Sequence, residues 1–224
     1  MRSLGVDVGL RKGLDLVLMD EARQVVEIAR RLPHDRFRDV VLGWEPDTVA
    51  IDSPPRWASP DAVRETERLV RRLGIQLYVT PAEARRSVKG FHDWMIAGMD
   101  AFRAIEDHYP LFDGVTAQRS ALEVFPHGAA VVLARSLKPP QRKKHEWRRD
   151  VLAAQGVEVA PLVSPDLVDA ALAALTGLSA LEGRACWLGV PAEGMIVLPC
   201  AAEELPVRYG KAAIAAAEKG FLSI

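Results

Sequence analysis

The sequence is short of nearly everything that would assign it to a specialised class. Its 224 residues include two cysteines, Cys186 and Cys200. Two thiols make no disulfide framework and their spacing matches no zinc pattern, so they read as free thiols in a reduced cytosol. The formal net charge is -1, which leaves only local basic patches to meet nucleic acid. No apolar run approaches the roughly 20 residues of a membrane span. The opening residues Met1–Gly9 lack the apolar stretch and cleavage site of a signal peptide. We therefore expect a cytoplasmic protein with no membrane partner. Internal repeats and low-complexity segments are missing too.

What is present suits an ordinary enzyme-sized domain. Apolar residues make up 49%, enough for a sizeable core, and charged residues make up 26%, as in most globular chains. The length fits one domain over residues 1–200 with a modest helical extension over 201–224, packed on it. Two apolar runs, Leu4-Gly5-Val6 and Leu14 to Met19, flank the Gly-containing turn Val8–Gly13 and read as a hairpin. A third strand follows at Arg23–Ala29. Helical spacing appears at Phe37–Trp44, then a short strand at Thr48–Asp52 stopped by Ser53-Pro54-Pro55. Ser59-Pro60-Asp61 has the form of a helix start, with the helix reaching Leu73. A strand is expected at Ile75–Val79 and a helix at Phe91–Tyr109. Next come a strand at Ser120–Phe125, a short helix at Gly128–Ser136 and a basic helix at Lys143–Gln155. Leu167–Glu182 is Ala- and Leu-rich on nearly all sides, which predicts a buried helix. A hairpin at Cys186–Val190 and Met195–Leu198 precedes an Ala-rich helix at Lys211–Lys219, a candidate homo-oligomer contact. A meander followed by alternating strands and helices indicates α/β with a mixed sheet.

Acids fall where this pattern predicts interior positions. Asp7 and Asp52 end buried strands, Glu123 lies on a strand, and Asp166 and Asp169 share one face of the buried helix. A buried carboxylate is costly unless it is paired or binds a cation. Several of them converging repel one another strongly without metal. Mg²⁺ or Mn²⁺ takes such oxygen ligands, and two ions roughly 4 Å apart clamp the attacking and leaving oxygens of a phosphodiester. Each acid also has an ordinary explanation. Asp7 can bond a loop amide, Asp52 can start a turn, Glu123 can face solvent, and Asp166 can simply complement a helix dipole.

The order of the short motifs resembles one family. GVDVG at Gly5–Gly9, AIDSP at Ala50–Pro54, EVFPH at Glu123–His127 and DLVDAALAALT at Asp166–Thr176 are similar to DUF429, a family of predicted nucleases with a ribonuclease H-like fold. EGMIVLP at Glu193–Pro199 resembles its closing hairpin, and the acid-rich helix is also similar to that of RuvC-type resolvases. The resemblance implies a three-stranded antiparallel meander plus parallel strands flanked by helices. It also implies a two-metal nuclease site with Asp7, Asp52, Glu123 and Asp169 as ligands, and Asp166 as the competing choice. Arg11-Lys12, after Asp7, departs from the small or polar segment usual there.

Other residues suit the same chemistry. His127 can move a proton near neutrality. Lys12, Arg142, Lys143 and Lys144 are candidate phosphate contacts, the last three within the cationic stretch Lys138–Arg149. Solvated surface charge explains each of them equally simply. The leading expectation is a metal-dependent nuclease acting on DNA or RNA. The alternatives are an actin-like or sugar-kinase-type ATP-binding domain, which shares the strand–acid–turn opening, and a non-catalytic binding protein on the same fold.

Overall fold

The computed structural model describes residues 1–60, 63–86 and 90–210. Its first hairpin pairs β1 (Arg2–Gly9) with β2 (Gly13–Asp20), and β3 (Val25–Leu32) adds to β2, both antiparallel. The turn closes at Gly13, whose φ of +83° suits a residue without a Cβ. After α1 (Phe37–Trp44), β4 (Thr48–Asp52) returns beside β1, parallel to it. Next come α2 (Glu65–Arg72), α3 (Asp93–Ile105) and β5 (Ala121–Val124), which is parallel to β4. Three helices follow: α4 (Pro126–Ala134), α5 (Lys144–Ala154) and α6 (Pro165–Leu181). The hairpin β6 (Cys186–Val190) and β7 (Gly194–Leu198) then completes a seven-stranded sheet of order β3-β2-β1-β4-β5-β7-β6, with β7 parallel to β5. This is the ribonuclease H-like arrangement, a meander continued by parallel strands, with a closing hairpin at the far edge.

Helices cover both faces. Leu4 and Val6 of β1 pack with Val49, Ile51 and the α1 and α3 side chains. The alternate positions of β1, Ser3 and Gly5, face α6. A Cβ on Gly5 would overlap the Ala170 carbonyl and the Ala174 amide, and one on Gly177 would overlap the Ser3 hydroxyl. The Ala-rich composition of α6 thus has a specific use. Small residues on strand and helix let the two backbones approach closely, which fixes where the N-terminal turn of α6 lies over the sheet. That turn is capped by Ser164, whose side chain accepts from the Leu167 amide at 3.1 Å, with Pro165 in the first turn.

Three expectations are corrected. The helix after Ser59 starts at Glu65 instead, because Arg64 is extended (φ −54°, ψ 136°) and turns its side chain into the core; Asp61 lies outside the described residues. Ile75–Val79 is extended but joins no ladder, and Tyr78 faces solvent. A β-rich composition forms a strand only where it is paired in a ladder. β3 runs on to Leu32 where the pattern suggested Ala29. The C-terminal helix expected at Lys211–Lys219 lies outside the described residues. Cys186 and Cys200 are buried free thiols with sulfurs 3.9 Å apart. Among the described residues no helix is long and apolar enough to cross a membrane.

Candidate metal centre

Parallel pairing puts Asp7 directly beside Asp52 at the ends of β1 and β4. Asp169, one residue before the close contact of α6 with Gly5, comes down over them. One carboxylate oxygen from each of the three lies within 4.8 Å of the others. Crowding and burial hold these acids toward their protonated forms. Asp7 is pushed up to about 9, chiefly by burial and then by the charges of Asp52 and Asp169. Asp52 is pushed up to about 7 by burial and Asp169, with Arg148 and Lys144 opposing. Asp169 is raised too, by burial, although Arg148 pulls it back. Three half-buried carboxylates within reach of one point, each resisting ionisation, form a donor set that fits a hard divalent cation.

Two cations already attend the acids. Arg148, only 4% exposed, pairs through one terminal nitrogen with both oxygens of Asp169. Lys144, one turn earlier on α5, is exposed but lines the cleft beside the acids, and partial desolvation lowers its pKa against the pull of Asp169, Asp52 and Asp7. Of the cationic stretch, these two face the acids. Arg142 pairs with Asp150, and Lys143 lies 3.3 Å from Glu146; both are exposed at the surface.

The other candidate residues are placed as follows. Asp166 lies one turn before Asp169, over the Gly9–Gly13 turn, with Lys12 at 3.4 Å. It shares a cleft there with Asp7 and Asp15 but is not one of the three. Glu123 borders the same cleft as Asp52 and Asp169, yet it is engaged by Arg64. The guanidinium donates to both carboxylate oxygens, at 2.8 and 2.5 Å. Burial raises the Glu123 pKa and Arg64 offsets this. His127 stands in the first turn of α4, with its ring edge-on to Trp147 at 5.9 Å. Burial lowers it to about 4, with Arg148 and Lys144 adding to the effect, so the imidazole is neutral at pH 7.

Four residues of the site escaped the sequence reading. Asp15 is the cross-strand partner of Asp7 and is buried. Its signal was an acid inside the apolar run Leu14–Met19. Arg64, 1% exposed, and its neighbour Glu67 gave none. Arg148 was visible as one of a cationic series, with nothing to single it out from Arg149.

The family model described as "Protein of unknown function (DUF429)" matches residues 5–193. Among curated proteins no match is found. The solved structure of Thermus thermophilus RuvC shares 18% identity over 82% of this chain and 95% of that one, with a TM-score of 0.40. The T. thermophilus RuvC structure in complex with a Holliday junction substrate shares 17% identity over 82% and 94%, with a TM-score of 0.41. A family match that spans most of the chain, on a ribonuclease H-like sheet with acids at its strand ends, places this protein in the DUF429 family.

Proposed function

We propose that this protein is a divalent-cation-dependent phosphodiesterase that acts on nucleic acid. The observation that carries the reading is the trio Asp7, Asp52 and Asp169, converging within 4.8 Å beside the cleft-lining cations Lys144 and Arg148. Asp7, Asp52 and Asp169 would hold Mg²⁺ or Mn²⁺, which when bound neutralises charge on the transferring phosphoryl group and activates water for in-line attack. Lys144 and Arg148 would take the non-bridging phosphate oxygens, a reading supported by both lining the cleft that Asp52 and Asp169 border. Asp15 lies behind Asp7 and adds to the negative potential that draws a cation in. His127 is neutral and packed on Trp147, which suits support of α5 better than proton transfer at the trio. Glu123, tied to Arg64, fixes the wall of the cleft.

The test is cleavage of labelled single-stranded, duplex and four-way-junction DNA and of RNA, with Mn²⁺ or Mg²⁺ and with chelator. Metal-dependent cleavage of at least one substrate, lost in Asp7→Asn, supports the reading. Mn²⁺ binding that is unaffected by Asp7→Asn, together with inert substrates, overturns it.

A further inference from the structure

The cleft that begins at Asp52 and Asp169 extends well past the acids. It encloses about 230 Å³ and runs by Glu67 to a wall formed by Leu77, Tyr78 and Trp94. Its two ends differ in chemistry. The near end carries Lys144 and Arg148, while the far end is aromatic and aliphatic. Tyr78 leaves 70% of its surface in solvent, and its ring meets the exposed Phe91 edge-on at 5.8 Å. Large exposed aromatics beside a cleft are characteristic of recognition surfaces.

Glu67 supplies the polar element. It is 2% exposed, and its Oε1 accepts from the Thr80 amide at 2.9 Å and lies 3.6 Å from Arg64. Among the described residues its Oε2 has no hydrogen-bond partner, and the residue borders the cleft. A buried carboxylate oxygen without a donor is costly to maintain, and a ligand N–H would satisfy it. A nucleobase has that combination of features: flat apolar faces for stacking and an edge of N–H donors. A carboxylate accepts readily from the amino group of cytosine, for example.

We infer that the far end of the cleft receives one unpaired nucleobase, stacked on the Tyr78 and Trp94 side and read at its amino edge by Glu67, while the adjoining phosphodiester lies at Lys144, Arg148 and the aspartates. The placement of that phosphodiester rests on the phosphodiesterase reading. A stacked duplex keeps its bases out of such a pocket, so the substrate class is nucleic acid with an unpaired or extrudable nucleotide next to the cleaved bond.

Two substrates separate the parts of this argument. A DNA duplex whose one bulged nucleotide is abasic has the diester and no base. A DNA duplex with one intact bulged nucleotide, beside the same duplex without it, has both. In Mn²⁺ the wild type is expected to cleave next to the bulge at least about ten-fold faster than in the perfect duplex. Tyr78→Ala and Trp94→Ala should each lower kcat/KM on the bulged substrate about ten-fold, the effect of losing one stacked base, and leave cleavage of the abasic substrate unchanged. Tyr78 is exposed, so its variant tests the pocket without disturbing the core. Equal rates on the bulged and perfect duplexes, or equal losses on the bulged and abasic substrates, overturn the inference and leave the phosphodiesterase reading standing. If neither kind of substrate is hydrolysed, that reading fails, and fluorescence of a bulged 2-aminopurine judges the pocket alone. Quenching by wild type that Tyr78→Ala and Trp94→Ala abolish supports it, and unchanged fluorescence overturns it.

Discussion

Asp7 and Asp52 are register partners on adjacent parallel strands, so their side chains leave the same face of the sheet side by side. Neighbouring strands lie about 4.8 Å apart, and no rotation of the backbone can separate the two carboxylates. The sheet thus imposes a charge pair that Asp169 makes worse, and the pKa of each aspartate rises in response. The same crowding that costs stability makes a ready cation site, and the two consequences can be measured separately.

Asp7→Asn should stabilise the metal-free protein while removing its cation site. Asp7 is held up to about 9, so at pH 7 folding forces it to take a proton that the unfolded chain does not bind. Asparagine has the shape of the protonated acid without that cost. We expect a gain on the order of 2 kcal/mol and a Tm rise of roughly 5 °C in chelator. Calorimetric Mn²⁺ binding by the variant should be lost. A fall in Tm in chelator would mean that the carboxylate is held by favourable contacts and is not strained.

The response to pH follows from the same groups. Asp52 and Asp7 have folded pKa values near 7 and 9, above their ordinary 3.8. Their contribution is therefore most favourable below pH 4 and declines as pH rises, through pH 7 for Asp52 and through pH 9 for Asp7. His127, lowered to about 4, acts in the opposite direction: its contribution is full above pH 6.5 and fades as pH falls toward 4. A bound cation keeps the aspartates ionised and removes their part of the slope, leaving that of His127 unchanged. The difference in Tm between Mn²⁺ and chelator should widen steadily from pH 5 to pH 8.5, each group adding up to about 1.4 kcal/mol per pH unit within its window. Scans in both conditions across that range measure it, and a constant difference would show that these acids do not bind the ion.

The meander and the parallel strands were legible because short apolar runs ending in Gly or Pro leave little choice of element. The same reasoning found Asp7 and Asp52, whose placement depends only on where a strand stops. It could not choose between Asp166 and Asp169, which share a helix face. Asp169 is the one that converges with Asp7 and Asp52, because Ala170 and Ala174 seat on Gly5, a contact between residues far apart in the chain. Arg64 and Arg148 were illegible for a related reason. An arginine announces nothing locally about burial, and their partners Glu123 and Asp169 stand 59 and 21 residues away. Ile75–Val79 misled because β propensity describes fit to a ladder, and the segment pairs with no strand among the described residues.

The Arg64–Glu123 pair should be strongly coupled. Both side chains are buried and each leaves an uncompensated charge when the other is removed. Arg64→Met or Glu123→Leu alone should cost about 3–5 kcal/mol. The double variant should recover more than half of the summed loss, the remainder reflecting the contacts of Arg64 with Glu67 and the Glu193 carbonyl. Urea unfolding of the four proteins gives the coupling energy directly. Simple additivity would mean that the two charges are solvated independently.

Gly5→Ala tests whether close packing of α6 on β1 is what assembles the trio. A Cβ at Gly5 would meet backbone atoms of Ala170 and Ala174, which cannot rotate away as a side chain would. The helix has to lift from the sheet, at a cost of about 3 kcal/mol for overpacking. Asp169 precedes Ala170 directly, so lifting α6 carries its carboxylate away from Asp7 and Asp52. Mn²⁺ affinity should therefore fall at least about ten-fold, in a variant that contains every acidic residue of the wild type. Gly43→Ala is the control. Gly43 is exposed in α1 with nothing within 4 Å of an added Cβ, and alanine there should stabilise by about 0.5–1 kcal/mol without touching metal affinity. If Gly5→Ala loses stability but retains full Mn²⁺ affinity, the trio does not depend on how tightly the helix sits, and Asp169 reaches the site by side-chain movement alone.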